Sequence, residues 1–144
     1  MNEDGGPTHV PFQISPVAIE ENKFSDEAKN LNGFALPGFQ NAHSHAFQYA
    51  MAGLAERHET NAISDDFWSW REAMYALALK VNPDQMEAIA TMLYSEMVRH
   101  GYTNVAEFHY LHHDLNGGKY SNLAEMGSRL IAAAKTAGIN ITLV

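Results

Sequence analysis

The sequence predicts an α/β fold built on a parallel sheet, and three observations predict it. Short apolar runs that read as strands alternate with longer amphipathic stretches that read as helices. That alternation is satisfied by right-handed crossovers between parallel strands. The last run, Ile139 to Val144, is apolar enough for a parallel strand buried on both faces. It also closes the sequence with no turn and no further helix, so the sheet is expected to continue beyond Val144 and this chain to be its first, truncated part.

In chain order, residues 1–32 are acidic and rich in Gly, Pro and Asn, with Val17-Ala18-Ile19 as their strand-like run. They are expected to form an N-terminal extension or the remnant of a small β-domain, and residues 33–144 the main unit. Phe34-Ala35-Leu36 is a short apolar run closed by Pro37-Gly38, and Phe39-Gln40-Asn41-Ala42 then leads into His43-Ser44-His45, placed at the C-terminal end of a buried strand. Helices are expected from about Ala46 to Glu56 and from Asp66 to Val81, separated by the polar loop Arg57 to Ser64. Asn82-Pro83-Asp84-Gln85 offers an N-cap, a proline at the first helical position and a Gln at the third. Met86, Ile89, Ala90, Leu93 and Met97 then follow at helical spacing until Gly101.

Thr103 to Tyr110 reads as a second strand, followed by a long loop, Leu111 to Ser121, whose length suggests a role beyond connection. Asn122 and Glu125 predict a capping box for a third helix, with Leu123, Met126, Leu130, Ile131 and Ala134 at helical spacing and Gly138 at its end. Met74, Tyr75, Leu77, Met86, Met92 and Met97 are expected to be ordinary core.

A chain of 144 residues with 46% hydrophobic content is the size of one ordinary domain with its own core. Nine Lys and Arg, scattered, against a net charge of -8 exclude a phosphate-neutralising patch, so neither nucleic acid nor an anionic membrane is an expected partner. No signal-like start and no membrane-length apolar run is present, and a cytoplasmic protein is expected. With no cysteine, any metal must be held by His, Asp or Glu, and there are eight histidines.

His43-Ser44-His45 carries the sharpest chemistry. Residues two apart on an extended strand face the same side, so both imidazoles can reach one metal ion. A lone His-x-His pair is equally compatible with two polar loop histidines. The string Leu36 to Gln48, with Pro37-Gly38-Phe39, Asn41 and then His43-Ser44-His45, resembles the first-strand motif of the amidohydrolase superfamily. That resemblance implies a (β/α)8 TIM barrel, with His43 and His45 as ligands of one divalent metal ion, zinc being expected, at the barrel's C-terminal mouth.

Four blocks narrow the resemblance: His43 to Gln48, Met51 to Glu56, Phe67 to Glu72 and Ala106 to Asp114 are similar to the formimidoylglutamate deiminases of histidine degradation. The reaction implied is hydrolysis of N-formimino-L-glutamate to N-formyl-L-glutamate and ammonia. The implied catalytic proton-transfer residues and remaining metal ligands lie on later strands, downstream of Val144, so this chain alone is expected to be inactive. The match is expected to cover about residues 33–144, with the first 32 departing from the family, which carries a longer N-terminal β-segment. A homodimer is expected of the full-length family member.

A small-molecule dicarboxylate substrate needs cationic and hydrogen-bonding donors. Arg71, whose planar fork suits a carboxylate, stands where the family places a substrate-binding Arg; the competing reading pairs it with Glu72 on a solvated helix. Trp68 and Trp70 are expected to bury its stem. By the same resemblance Gln48 and Tyr110 contact substrate at the rim, against a surface glutamine and an aromatic packed beneath the loop. His109, His112 and His113 read as outer hydrogen-bonding partners or loop packing ahead of a second metal site, and Glu107 as a buried orienting carboxylate whose partner is not legible. The other functions open at this point are another deaminase of the superfamily, such as a guanine deaminase, and a non-catalytic α/β module.

Overall fold

In the computed structural model, residues 13–14, 19–20, 34, 36–54 and 67–144 are described. The chain divides into two units, Met1–Leu36 and Pro37–Val144. In the first, β1 (Gln13–Ile14) and β2 (Ile19–Glu20) pair antiparallel. Val17 and Ala18 of the expected strand lie outside the described residues, as do Ala35, Ala55, Glu56, Asp66 and the Arg57 to Ser64 loop.

The second unit is a parallel sheet with strand order equal to chain order: β3 (Phe39–Ser44), β4 (Tyr102–Glu107) and β5 (Asn140–Leu143). Between β3 and β4 come a 3-10 turn at Ala46–Met51, then α1 (Phe67–Ala78) and α2 (Pro83–Arg99); α3 (Glu125–Ala137) links β4 to β5. The α/β class read from the sequence is the observed one.

The first strand is the segment that leads into the histidines, without the apolar run before Pro37. Phe34 and Leu36 are exposed, and β3 begins only after Pro37-Gly38. Proline has no N–H to give a ladder, and the first bond to the neighbouring chain comes from Phe39, whose N–H donates to the Gly101 carbonyl at 2.9 Å. Gly38 is required sterically, since a Cβ there would collide with the Thr103 side chain. β3 is also largely exposed, with Ser44 its buried residue, and β5 alternates half-buried Ile141 and Leu143 with exposed Asn140 and Thr142. Within this chain the described helices cover one face of β5.

Helix limits were set by local hydrogen bonds. α2 starts as expected, with Asn82 Oδ1 accepting from Gln85 N at 2.9 Å and Gln85 Oε1 accepting from Asn82 N at 3.0 Å. That cap holds Asn82 in an extended conformation, so α1 ends at Ala78 and cannot run on to Val81. The stretch after His45 is a 3-10 turn that gives out at Ala52-Gly53-Leu54, where Gly53 takes φ 76°. β4 ends at Glu107, not Tyr110.

The capping box expected at α3 does not form. Asn122 Oδ1 accepts from Ala124 N at 3.1 Å, while Glu125 turns to Arg129 at 2.9 Å, so the helix begins two residues later than the Asn would dictate. Arg129 also reaches Glu87 and Asp84, each at 2.9 Å, tying α3 to the start of α2. Gly138 ends α3 with φ 81°, a conformation costly for residues with a Cβ.

The core lies between α2, α3 and β4. Met86, Ala90 and Tyr94 face Met126, Leu130, Ala133 and Ala134 over Val105, and Phe47 and Met51 join them with Met74 of α1. A fully buried side chain such as Leu130 contributes about 1.5–3 kcal/mol. Leu123, Ile131, Tyr75 and Met92, all expected inside, are exposed. Periodicity identifies a stripe but not its width, and these four lie at its margins.

Candidate metal centre and adjoining cavity

His43 is the fifth residue of β3 and His45 follows the strand's end, so the two imidazoles leave the same edge of the sheet. Their Nε2 atoms converge to 2.9 Å, with the rings edge to face at 4.5 Å. Two imidazoles bound to one tetrahedral zinc at about 2.0–2.1 Å would hold their nitrogens about 3.3 Å apart, so the observed pair needs to open only slightly.

The protonation pattern suits a ligand. His45 Nδ1 lies 2.7 Å from the Phe108 carbonyl oxygen, which can only accept; Nδ1 therefore carries the proton and Nε2 keeps its lone pair. That lone pair faces the Tyr110 hydroxyl at 3.0 Å. Phe108 also stacks on the His43 ring, centroids 6.2 Å apart. The backbone is pinned as firmly as the ring: Ala46 N–H donates to Glu107 Oε1 at 2.6 Å, and Phe108 N–H to the Ser44 carbonyl at 2.9 Å. The partner of Glu107 that the sequence left unidentified is this backbone amide.

Among the described residues His43 and His45 are the candidate ligand pair. Among the described residues no group of three or more His, Cys, Asp or Glu side chains is placed to hold a metal ion. His109 instead approaches the Val144 carbonyl through Nδ1 at 3.3 Å and packs edge to face on His112. Burial first, and then the His109 and His113 imidazoles, hold the His112 pKa below 6.5. The following loop is organised by Asp114, whose Oδ1 accepts from Asn116 N and Gly118 N at 2.8 and 2.7 Å.

Beside the histidines opens a cavity of about 470 Å³, and His45, Gln48, Arg71 and Tyr110 all line it. Phe47, Trp70 and Met74 make much of its apolar wall. Gln48 Nε2 points to the Met74 sulfur at 3.2 Å, and Arg71 donates to the Tyr75 hydroxyl at 3.3 Å while lying over the Tyr75 and Trp68 rings. Arg71 thus turns to Tyr75, not to Glu72. Trp68, itself 61% exposed, flanks the guanidinium, and Arg71 is partly buried. Tyr75 was read from the sequence as core and not as a partner of Arg71, although it stands one helical turn from it, a spacing at which side chains meet. The Phe108 carbonyl carried no signal at all, being backbone.

The amidohydrolase family model matches residues 34–144. The chain belongs to the amidohydrolase family. A curated relative, formimidoylglutamate deiminase of Pseudomonas aeruginosa, is 48% identical over 98% of this chain, which spans about a third (32%) of that protein's length. The expectation that the first 32 residues depart from the family is thereby corrected, since a likeness over 98% of the chain takes in most of them. The crystal structure of an amidohydrolase from Brucella melitensis superposes with TM-score 0.78 at 46% identity, covering 92% of this chain and 30% of that one. For an amidohydrolase, the His43-Ser44-His45 edge is thus the metal-binding candidate, and the cavity beside it the substrate candidate.

Proposed function

We propose that the protein to which this chain contributes hydrolyses N-formimino-L-glutamate to N-formyl-L-glutamate and ammonia, a step of histidine degradation, and that this segment supplies the first two metal ligands and one wall of the substrate pocket. The observation that carries the reading is the placement of His45 Nε2, its lone pair fixed by Phe108, on the same cavity as the Arg71 guanidinium. The 48% identity to a formimidoylglutamate deiminase supports it.

The expected group is one divalent ion, zinc, held by His43 and His45 together with side chains elsewhere in the protein. When bound, such an ion lowers the pKa of its water and makes hydroxide available near neutral pH. Arg71 grips a substrate carboxylate through parallel hydrogen bonds, and its stacking between Trp68 and Tyr75 limits the directions its fork can take. Gln48 and Tyr110 offer an amide and a hydroxyl to the polar substrate. Phe47, Trp70 and Met74 exclude water and so strengthen these contacts.

A dicarboxylate substrate, a homodimeric assembly and a cytoplasmic setting belong to the same proposal. Among the described residues no helix is long and apolar enough to cross a membrane. The test is ammonia release from N-formimino-L-glutamate by the protein expressed from its complete reading frame. Saturable release that is lost on chelation and in His43→Ala/His45→Ala is the expected result. Normal turnover by that double variant, or none by the metal-replete parent, would overturn the reading.

A further inference from the structure

Among the described residues Glu107 is the one buried charged side chain, 1% exposed. Its Oε1 accepts from Ala46 N, but Oε2 and the nearby Tyr94 hydroxyl, both sealed from solvent, have no partner in hydrogen-bonding geometry. The two groups interact without a well-formed bond: burial, and then the Glu107 carboxylate, push the Tyr94 hydroxyl above the ordinary tyrosine range.

A half-satisfied carboxylate in a core is a costly way to stabilise a fold, and an apolar side chain of similar volume is commonly as good or better. What Glu107 holds explains its presence better than what it contributes to packing. The amide it accepts from is the one directly after His45, and Phe108, the residue that follows the strand's last, accepts from the His45 ring. Two consecutive residues of the β4 end thus fix the backbone and the imidazole of the same histidine.

We propose that Glu107 is a positioning residue for the metal-ligand pair: its bond to Ala46 N sets the direction of His45 Nε2 and with it the affinity of the site for a divalent ion. This rests on the ligand reading of His43 and His45 given above. A role confined to closing the core would leave metal affinity untouched once the protein is folded.

The test compares Glu107→Met, nearly isosteric but without an acceptor, with Glu107→Gln, whose amide oxygen can still accept from Ala46 while its NH2 turns to Tyr94. Zinc and cobalt affinities of the protein from its complete reading frame are measured by chelator competition, with the cobalt absorption spectrum and a thermal melt of each variant. Glu107→Met is expected to bind about 10–100-fold more weakly with an altered cobalt spectrum, and Glu107→Gln to stay within about threefold of the parent, the range that outer hydrogen-bonding partners of a ligand command.

Parent-like affinity in Glu107→Met, or equal weakening in Glu107→Gln, overturns the proposal. Should Glu107→Met not fold, Ala46→Pro removes the donor instead. Position 46 opens the 3-10 turn, and His45 (φ −133°, ψ 82°) lies outside the α region that proline disfavours in the residue before it. The same loss is expected there, and parent-like affinity again overturns the proposal. If His45→Ala also leaves affinity unchanged, the ligand reading itself has failed; a response to His45→Ala but not to Glu107→Met sinks this inference alone.

Discussion

The Phe108 carbonyl oxygen lies 2.7 Å from His45 Nδ1, and this contact decides which imidazole nitrogen is available for chemistry. Because a carbonyl only accepts, Nδ1 is protonated and Nε2 presents its lone pair beside His43 Nε2. Replacing either histidine by Ala in the protein from its complete reading frame should therefore weaken zinc binding by more than the roughly 10–100-fold that losing an outer partner costs. Metal content after dialysis against a graded chelator checks this, and retention of stoichiometric metal by His45→Ala would contradict it.

Arg71 separates a dicarboxylate substrate from a neutral ring. Arg71→Met removes a charged hydrogen bond of about 1.5–3 kcal/mol, or roughly ten- to a hundredfold in kcat/KM. The loss should fall on N-formimino-L-glutamate and spare a neutral amidine. Equal losses on both substrates would count against carboxylate recognition and favour a guanine-type pocket.

Gly38 is expected to tolerate no side chain while Thr103 is present. Gly38→Ala should destabilise by about 1–3 kcal/mol, the usual range for overpacking, because the added methyl meets Thr103. Adding Thr103→Ala should recover most of that in a denaturant titration. No recovery would place the cost in the backbone instead.

The Asn82 cap predicts a local effect of known size. Asn82→Ala deletes the acceptor for Gln85 N and should cost about 1 kcal/mol. Asn122→Ala, which leaves no N-cap unfilled at α3, should cost less. Denaturation midpoints of the two variants, at unchanged slope, give the comparison.

His112 gives a signed pH dependence. Its folded pKa is held below the ordinary 6.5, first by burial and then by His109 and His113, so the unfolded chain takes up its proton at higher pH than the fold does. This group's contribution is therefore in place above about pH 6.5 and is lost as pH falls below it. A titration of the His112 ring by NMR should give a midpoint under 6.5, moving upward in His109→Asn. A midpoint above 6.5 would contradict the packing described.

By itself the sequence determined what short stretches of chain can determine. Asn82-Pro83-Asp84-Gln85 starts α2, Gly101 and Gly138 follow the two best helices, and the order of strands and helices follows from periodicity. His43 and His45 were legible as a pair because two residues on one strand share a face, and their neighbours gave the family. Where two local signals competed, as at Asn122 with Glu125, a partner one turn along the same helix won: Arg129 offered Glu125 a charge, which a backbone amide could not match.

Only the tertiary structure decided the rest, because it depends on β3 lying against β4 in one register. His45 and Phe108 are 63 residues apart, and Ala46 and Glu107 61 apart. Their bonds exist because Ser44 sits opposite Glu107 in the parallel ladder. The same docking brings Tyr110 to the cavity that Gln48 and Arg71 enter from the other side of the chain's connection. A residue type can announce that it is able to bind a metal or a carboxylate; which nitrogen is bare, and which backbone amide holds it in place, is fixed only when distant segments pack.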